Sequence, residues 1–194
     1  MRHVPGPVIQ TILNRRSVRP RKLSLPVPNK SELGTLIQTA LAAPDHGQLN
    51  PVRFIVVSGQ ARATLGKILA TCHQNNNPDA SDEQIERQRD KALKAPMLIG
   101  LIAHIENQAA ISAEEQRYSC MISAGYLMLA ADEMGFGSIF LSGEHIHDRV
   151  VCRKLGLADN EQLLGWINIG TPEKRPPPRK PAELTNYLRW WDGN

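Results

Sequence analysis

Aromatic side chains are scarce in this chain of 194 residues: three Phe, three Tyr and three Trp, 5% of the total. A chain of this length can bury a sizeable core, which must then be largely aliphatic. Cysteine is scarcer still. Cys72, Cys120 and Cys152 lie far apart, are odd in number and form no Cys-x-x-Cys pair. That argues against a disulfide framework and for reduced thiols in a reducing compartment. Long apolar runs are missing as well. The longest nearly apolar stretch, about 118–131, is too short to span a bilayer. The opening Met-Arg-His-Val-Pro-Gly-Pro lacks the apolar segment of a secretory signal. The expectation is a cytoplasmic protein with no membrane partner.

What the chain does have is a modest positive charge, +4 with histidine neutral, gathered near its two ends. Arg15, Arg16, Arg19, Arg21 and Lys22 form one group, and Lys174, Arg175, Arg179 and Lys180 the other. Two such ends either meet to hold one phosphate or remain solvated. A nucleic-acid partner is the remoter reading. The basic residues are interleaved with prolines and have no aromatic neighbours for base stacking.

Periodicity divides the chain into alternating elements. Val8, Ile9, Ile12 and Leu13 recur at helical spacing, so a helix runs from Val8 to about Arg15. Asn29 with Glu32 is an N-cap and capping-box pair that opens a helix ended by Pro44. Residues 53–58 read as a β-branched strand and 61–73 as a helix. The charged segment 81–93 reads as a solvent-facing helix or lid. Residues 97–103 form an apolar run suited to a buried strand. Ser112 with Glu115 predicts a second capping box, before a helix so apolar that full burial is expected. Short strands follow at 138–141 and 162–169, with a short helix capped by Asp148 between them. No internal repeat is present. The order predicts an α+β fold in one domain over 1–194, with 172–194 a stiff, basic, Pro-rich C-terminal extension. Its aromatics, Tyr187, Trp190 and Trp191, suit docking onto a partner subunit.

Four segments combine groups that suit chemistry. Arg15-Arg16-Ser17, at the end of the first helix, offers fork-shaped donors to a phosphate, or simply complements the helix dipole. Pro44-Asp45-His46-Gly47-Gln48-Leu49-Asn50-Pro51 collects imidazole, amide and carboxylate groups, either for a heterocycle edge or for a polar turn. Gly135-Phe136-Gly137-Ser138-Ile139-Phe140-Leu141-Ser142-Gly143 allows close backbone approach to a flat ligand. It is not a Rossmann fingerprint, because it ends a helix and opens a strand. Gly170-Thr171-Pro172 is followed by Lys174 and Arg175, a cationic pair for a phosphate or a solvated tail. His145 and His147 alternate along the chain, but no further ligand cluster lies near them in sequence, so they read as two surface histidines and no metal is expected.

Taken together and in this order, Asn14-Arg15-Arg16-Ser17, Ala43-Pro44-Asp45-His46 with Asn50-Pro51, Gly135 to Ile139 with Ser142-Gly143, and Gly170-Thr171-Pro172 resemble the nitroreductase family. The resemblance is to its small, single-domain branch with a Pro-Asp-His loop. It implies a nitroreductase-like fold, a central mixed or antiparallel sheet flanked by helices, in an intertwined homodimer with FMN at the subunit interface. It implies that Arg15, Arg16 and Ser17 hold the FMN phosphate and ribityl chain, completed by Lys174 or Arg175. His46 and Gln48 would reach the flavin from the other subunit, and Phe140, Leu141 and Ser142 would lie against the ring system. NADH or NADPH would be the donor and a nitroaromatic, quinone or similar small molecule the acceptor, in a ping-pong cycle. The flavin carries that chemistry, so no catalytic side chain is nominated. An alternative within the resemblance is an FMN-binding protein with a specialised role other than nitroreduction. Three positions depart from the pattern: Val52 and Phe140-Leu141 replace a tryptophan and a Trp-Arg pair, and Ala42 replaces an arginine.

Overall fold

A computed structural model describes residues 6–193. The start of the chain through Pro5, part of the opening read above as lacking a signal segment, lies outside the described residues. Five strands form one sheet: β1 (Leu23–Ser24), β2 (Val52–Ser58), β3 (Met97–His104), β4 (Gly137–Leu141) and β5 (Glu161–Pro172). Every pairing between named strands is antiparallel. Residues 166–169 of β5 pair with both β3 and β4, so β5 lies between them, and its last two residues pair with β1. An isolated parallel bridge joins Ser17 to Ser138. The two-residue β1 has no periodicity that the sequence could show.

Six helices complete the fold: α1 (Pro7–Asn14), α2 (Lys30–Leu41), α3 (Ala61–Asn76), α4 (Asp82–Lys91), α5 (Ala113–Glu133) and α6 (Arg149–Lys154). α1 begins with Pro at its first position, where a missing N–H costs nothing. α2 has the capping box expected of it: Asn29 Oδ1 accepts from the Ser31 and Glu32 amides, and Glu32 accepts from the Asn29 amide. α4 carries another, between Ser81 and Gln84.

β3 shows why a fully apolar strand is needed here. Met97, Ile99, Leu101 and Ala103 point to one face, against Leu36 and Ala40 of α2 and Cys120, Ala124, Leu127 and Ala131 of α5. Leu98 and Ile102 point to the other, against Leu65, Leu69 and Cys72 of α3, Ala92 and Val151. The sheet is therefore covered on both sides, and aliphatic residues fill both layers. α5 corrects one expectation. It is not buried all round. Tyr118, Met121, Ile122 and Tyr126, which fall at i, i+3, i+4 and i+8, leave an apolar stripe exposed along the chain. α1, joined to α5 by a Thr11 Oγ1 to Glu133 Oε2 hydrogen bond of 2.8 Å, also exposes Val8, Ile9, Ile12 and Leu13.

Candidate functional site

The end of α1 delivers the first two arginines. Arg16 folds back so that its Nη1 donates to the carbonyls of Leu13 and Arg15, at 2.8 and 2.7 Å. That leaves Arg16 Nε and Arg15 Nη1 buried without a hydrogen-bond partner, the only such side-chain atoms among the described residues. Buried polar atoms are nearly always satisfied, so two unpaired guanidinium donors side by side mark a place for an acceptor. Arg16 lines a cavity of about 200 Å³ with Asn14, Val18, Asp132, Gly137, Pro172 and Arg175. Arg175 is held there by Asp132, whose carboxylate and carbonyl accept at 3.0 and 3.2 Å. The Gly-Thr-Pro end of β5 is tied down by an ion pair between Lys22 and Glu173 at 3.1 Å. The two basic ends of the sequence therefore meet. Of Lys174 and Arg175, it is Arg175 that shares this cavity with Arg16, and Lys174 is exposed. Ser17 is exposed and bridges to Ser138 through its backbone. At Gly137 a side chain would meet Leu23 and Val18 at 2.9 Å, so glycine lets β4 pass this close.

A second, larger cavity of about 370 Å³ opens at the other end of β4. Leu141 and Ser142 line it together with Gly143, Pro20, Trp166, Asn168 and the α3 leucines Leu65 and Leu69. Lys91 and Lys94, at and beyond the end of α4, put positive charge on its wall. Phe140 does not line it. The pleat turns that ring away, into the main core and over Gly165, where an added Cβ would lie 2.5 Å from the ring. Gly137 lines the first cavity and Leu141 the second, so β4 separates them by four residues, about 13 Å along a strand.

His46 and Gln48 sit apart from both cavities in this protomer. Their loop is a short 3-10 turn with Gly47, Gln48 and Asn50 all at positive φ. Asp45 Oδ2 fixes it by accepting from the Asn50 amide at 2.6 Å. The second capping box forms only by half. Ser112 Oγ accepts from the Glu115 amide, but the Glu115 carboxylate turns to His46 Nδ1 at 2.7 Å.

Several residues of this region went unread in the sequence. Trp166 and Asn168 are two apart on β5, so one face of that strand lines the second cavity, a signal that alternation carried. Lys91 was masked by the high charge of its helix. That helix is also not wholly solvent-facing, since Gln88 is buried. His145 is likewise not a surface histidine. It is buried, its Nε2 stands 3.1 Å from Gln88 Oε1, and burial pushes its pKa down. His147 is exposed as expected. The thiols of Cys72 and Cys120 are pushed up to about 12 by burial, so neither is a nucleophile at neutral pH. No described helix is long and apolar enough to cross a membrane.

A family model for the nitroreductase family matches residues 12–171, from the end of α1 to the end of β5. The chain belongs to the nitroreductase family. It is therefore an oxidoreductase by family, and the match covers β4, the whole second cavity and the first cavity up to Gly137, but stops short of Pro172 and Arg175. Among curated relatives, "Putative NAD(P)H nitroreductase YfhC" of Bacillus subtilis is 32% identical over 171 residues, 87% of this chain and 86% of the relative. "Putative NAD(P)H nitroreductase YdjA" of Escherichia coli K12 is 28% identical over 166 residues, 85% and 88% of the two chains. The fold matches the crystal structure of a nitroreductase-like family protein from Bacillus cereus with a TM-score of 0.81, at 21% identity and full coverage of both chains.

Proposed function

We propose that this nitroreductase-family chain is a homodimeric, FMN-dependent NAD(P)H oxidoreductase that reduces a small planar acceptor such as a nitroaromatic or a quinone. The observation that carries the reading is the unpaired buried donor of Arg16, its Nε, in the cavity it shares with Arg175 at one end of β4, with a second such donor, Arg15 Nη1, on the neighbouring residue. An FMN phosphate bears roughly −1.5 to −2 charge at neutral pH and brings several acceptor oxygens, so it matches these guanidiniums in charge and in fork geometry. The second cavity, about 13 Å along β4, offers apolar walls from Leu141, Trp166 and Leu98 to a flat ring system. When bound, FMN would supply the hydride chemistry between NAD(P)H and the acceptor, so the protein need supply no acid, base or nucleophile.

This chain's own residues then bind and orient. Arg15, Arg16 and Arg175 hold the phosphate, and Leu141 and Trp166 keep water from one side of the ring. Lys91 and Lys94 supply positive charge where negative density accumulates on reduction. His46 and Gln48 line neither cavity of their own chain, which suits a role across a dimer interface. The exposed stripes of α1 and α5 and the C-terminal aromatics supply apolar surface for that interface. The relatives' names point to NAD(P)H, and the three free cysteines suit a reducing compartment such as the cytoplasm.

A fluorescence titration of the cofactor-stripped protein tests the phosphate site. Arg16→Ala weakens FMN by about 10- to 100-fold, the worth of one charge-assisted contact, and leaves riboflavin, which has no phosphate, nearly unchanged. Equal FMN affinity in wild type and variant would contradict the assignment.

A further inference from the structure

A second cluster of side chains adjoins the second cavity, in whose wall His145 lies, and none of its three members was given a role above. His73 near the end of α3 and the consecutive Glu144 and His145 after β4 converge from elements remote in sequence. Glu144 Oε1 stands 3.6 Å from His73 Nδ1 and 3.3 Å from His145 Nε2, and all three ligand atoms lie within 4.8 Å of one another. The two imidazoles meet edge to face, with centroids 6.3 Å apart. Tetrahedral zinc with bonds of about 2.0–2.1 Å separates its ligand atoms by about 3.3 Å. Two of the three separations already approach that value, and the third closes with a small rotation of one ring.

We infer that His73, Glu144 and His145 form a site for a zinc-class divalent cation, which clamps α3 to the turn that follows Ser142 and Gly143. Two imidazoles and one carboxylate select a borderline transition metal over magnesium or calcium. His73 also lines an open cavity of about 420 Å³ with Asn76, Asn77 and Gln84, which gives the ion an entry path and room for a water as fourth ligand. Both imidazoles are largely buried, so packing limits them to small rotations, while Glu144 is exposed and free to swing. Three contacts give way on binding. His145 Nε2 releases Gln88 Oε1, His73 Nδ1 releases Asn77 Nδ2 at 3.4 Å, and the Lys91 ammonium, 3.7 Å from Glu144 Oε1, moves off. The site does not depend on FMN.

The test is a Zn²⁺ titration of the chelator-treated full chain against a chromophoric competitor, with Mg²⁺ as control. The expected result is one saturable Zn²⁺ per chain, weakened at least 10-fold in both His73→Gln and Glu144→Gln, and no Mg²⁺ competition. Zn²⁺ raises the Tm of the wild type and not that of His73→Gln. Glu144 is exposed, so its variant keeps the fold, and circular dichroism checks that His73→Gln does so as well. Absence of a saturable 1:1 Zn²⁺ complex would overturn the inference, as would binding that survives unchanged in both variants.

Discussion

At the scale of single residues, charge and capping do most of the local work. Asp148 is the clearest case. Its carboxylate caps α6 by accepting from the Val150 and Val151 amides, at 2.7 and 3.1 Å. A hydrogen bond from the Cys72 thiol, then Asn76 and these amides, holds its pKa down at about 2, against an ordinary 3.8. A depressed carboxylate stabilises the fold above its unfolded pKa, and that contribution is lost as pH falls through the folded one. Asp148→Ala is thus expected to destabilise the protein by about 1 kcal/mol at pH 7. The difference between variant and wild type should shrink as pH drops from about 4 toward 2, which urea unfolding at a series of pH values checks. Such caps were legible from residue type and spacing alone, as Asn29 with Glu32 shows. Ser112 with Glu115 was legible only in part, because His46, 69 residues away, takes the carboxylate that the local pattern assigned to the helix start. The buried state of His145 was equally out of reach, since its partner Gln88 lies 57 positions away.

At the scale of elements, the sheet positions both halves of the groove. β3 was readable as buried because residues 97–103 are all apolar, and α2 because its capping pair and apolar period agree. β1 was not, since two residues carry no period and pair only because β5 runs long enough to meet them. Close packing between strands also depends on what is missing. At Gly100 in the middle of β3, an added Cβ would lie 2.6 Å from Ile55 Cγ2 and 3.0 Å from the Trp166 ring. Gly100→Ala is expected to cost about 1–3 kcal/mol by overpacking and to shift Trp166 in the wall of the second cavity. A drop in Tm together with a changed tryptophan emission on ligand binding would report both effects. A variant with wild-type Tm would show that the two side chains yield more easily than the packing suggests.

At the scale of the whole molecule, apolar surface is left open. The stripes of α1 and α5 and the aromatics of the C-terminal extension are exposed, with Trp190 89% exposed, and the proposed dimer would cover such surface. The four motifs were legible in family order. That the His46 loop lines neither cavity of this chain was not legible from residue type and spacing, because it depends on long-range placement. Ile122→Glu in the α5 stripe is expected to shift the protein from dimer to monomer in sedimentation equilibrium and to lower FMN retention with it. Full FMN retention by a monomer would remove the partner's loop from the site.

The central claim, a reducible flavin bound in the groove along β4, is tested most directly by the visible spectrum of the purified, desalted protein, recorded before and after adding NADH or NADPH without oxygen. The account predicts flavin bands that bleach with at least one donor and return when an acceptor quinone is added. A colourless protein that takes up no added FMN would contradict the binding site, and flavin bands that persist with both donors would contradict the reductase.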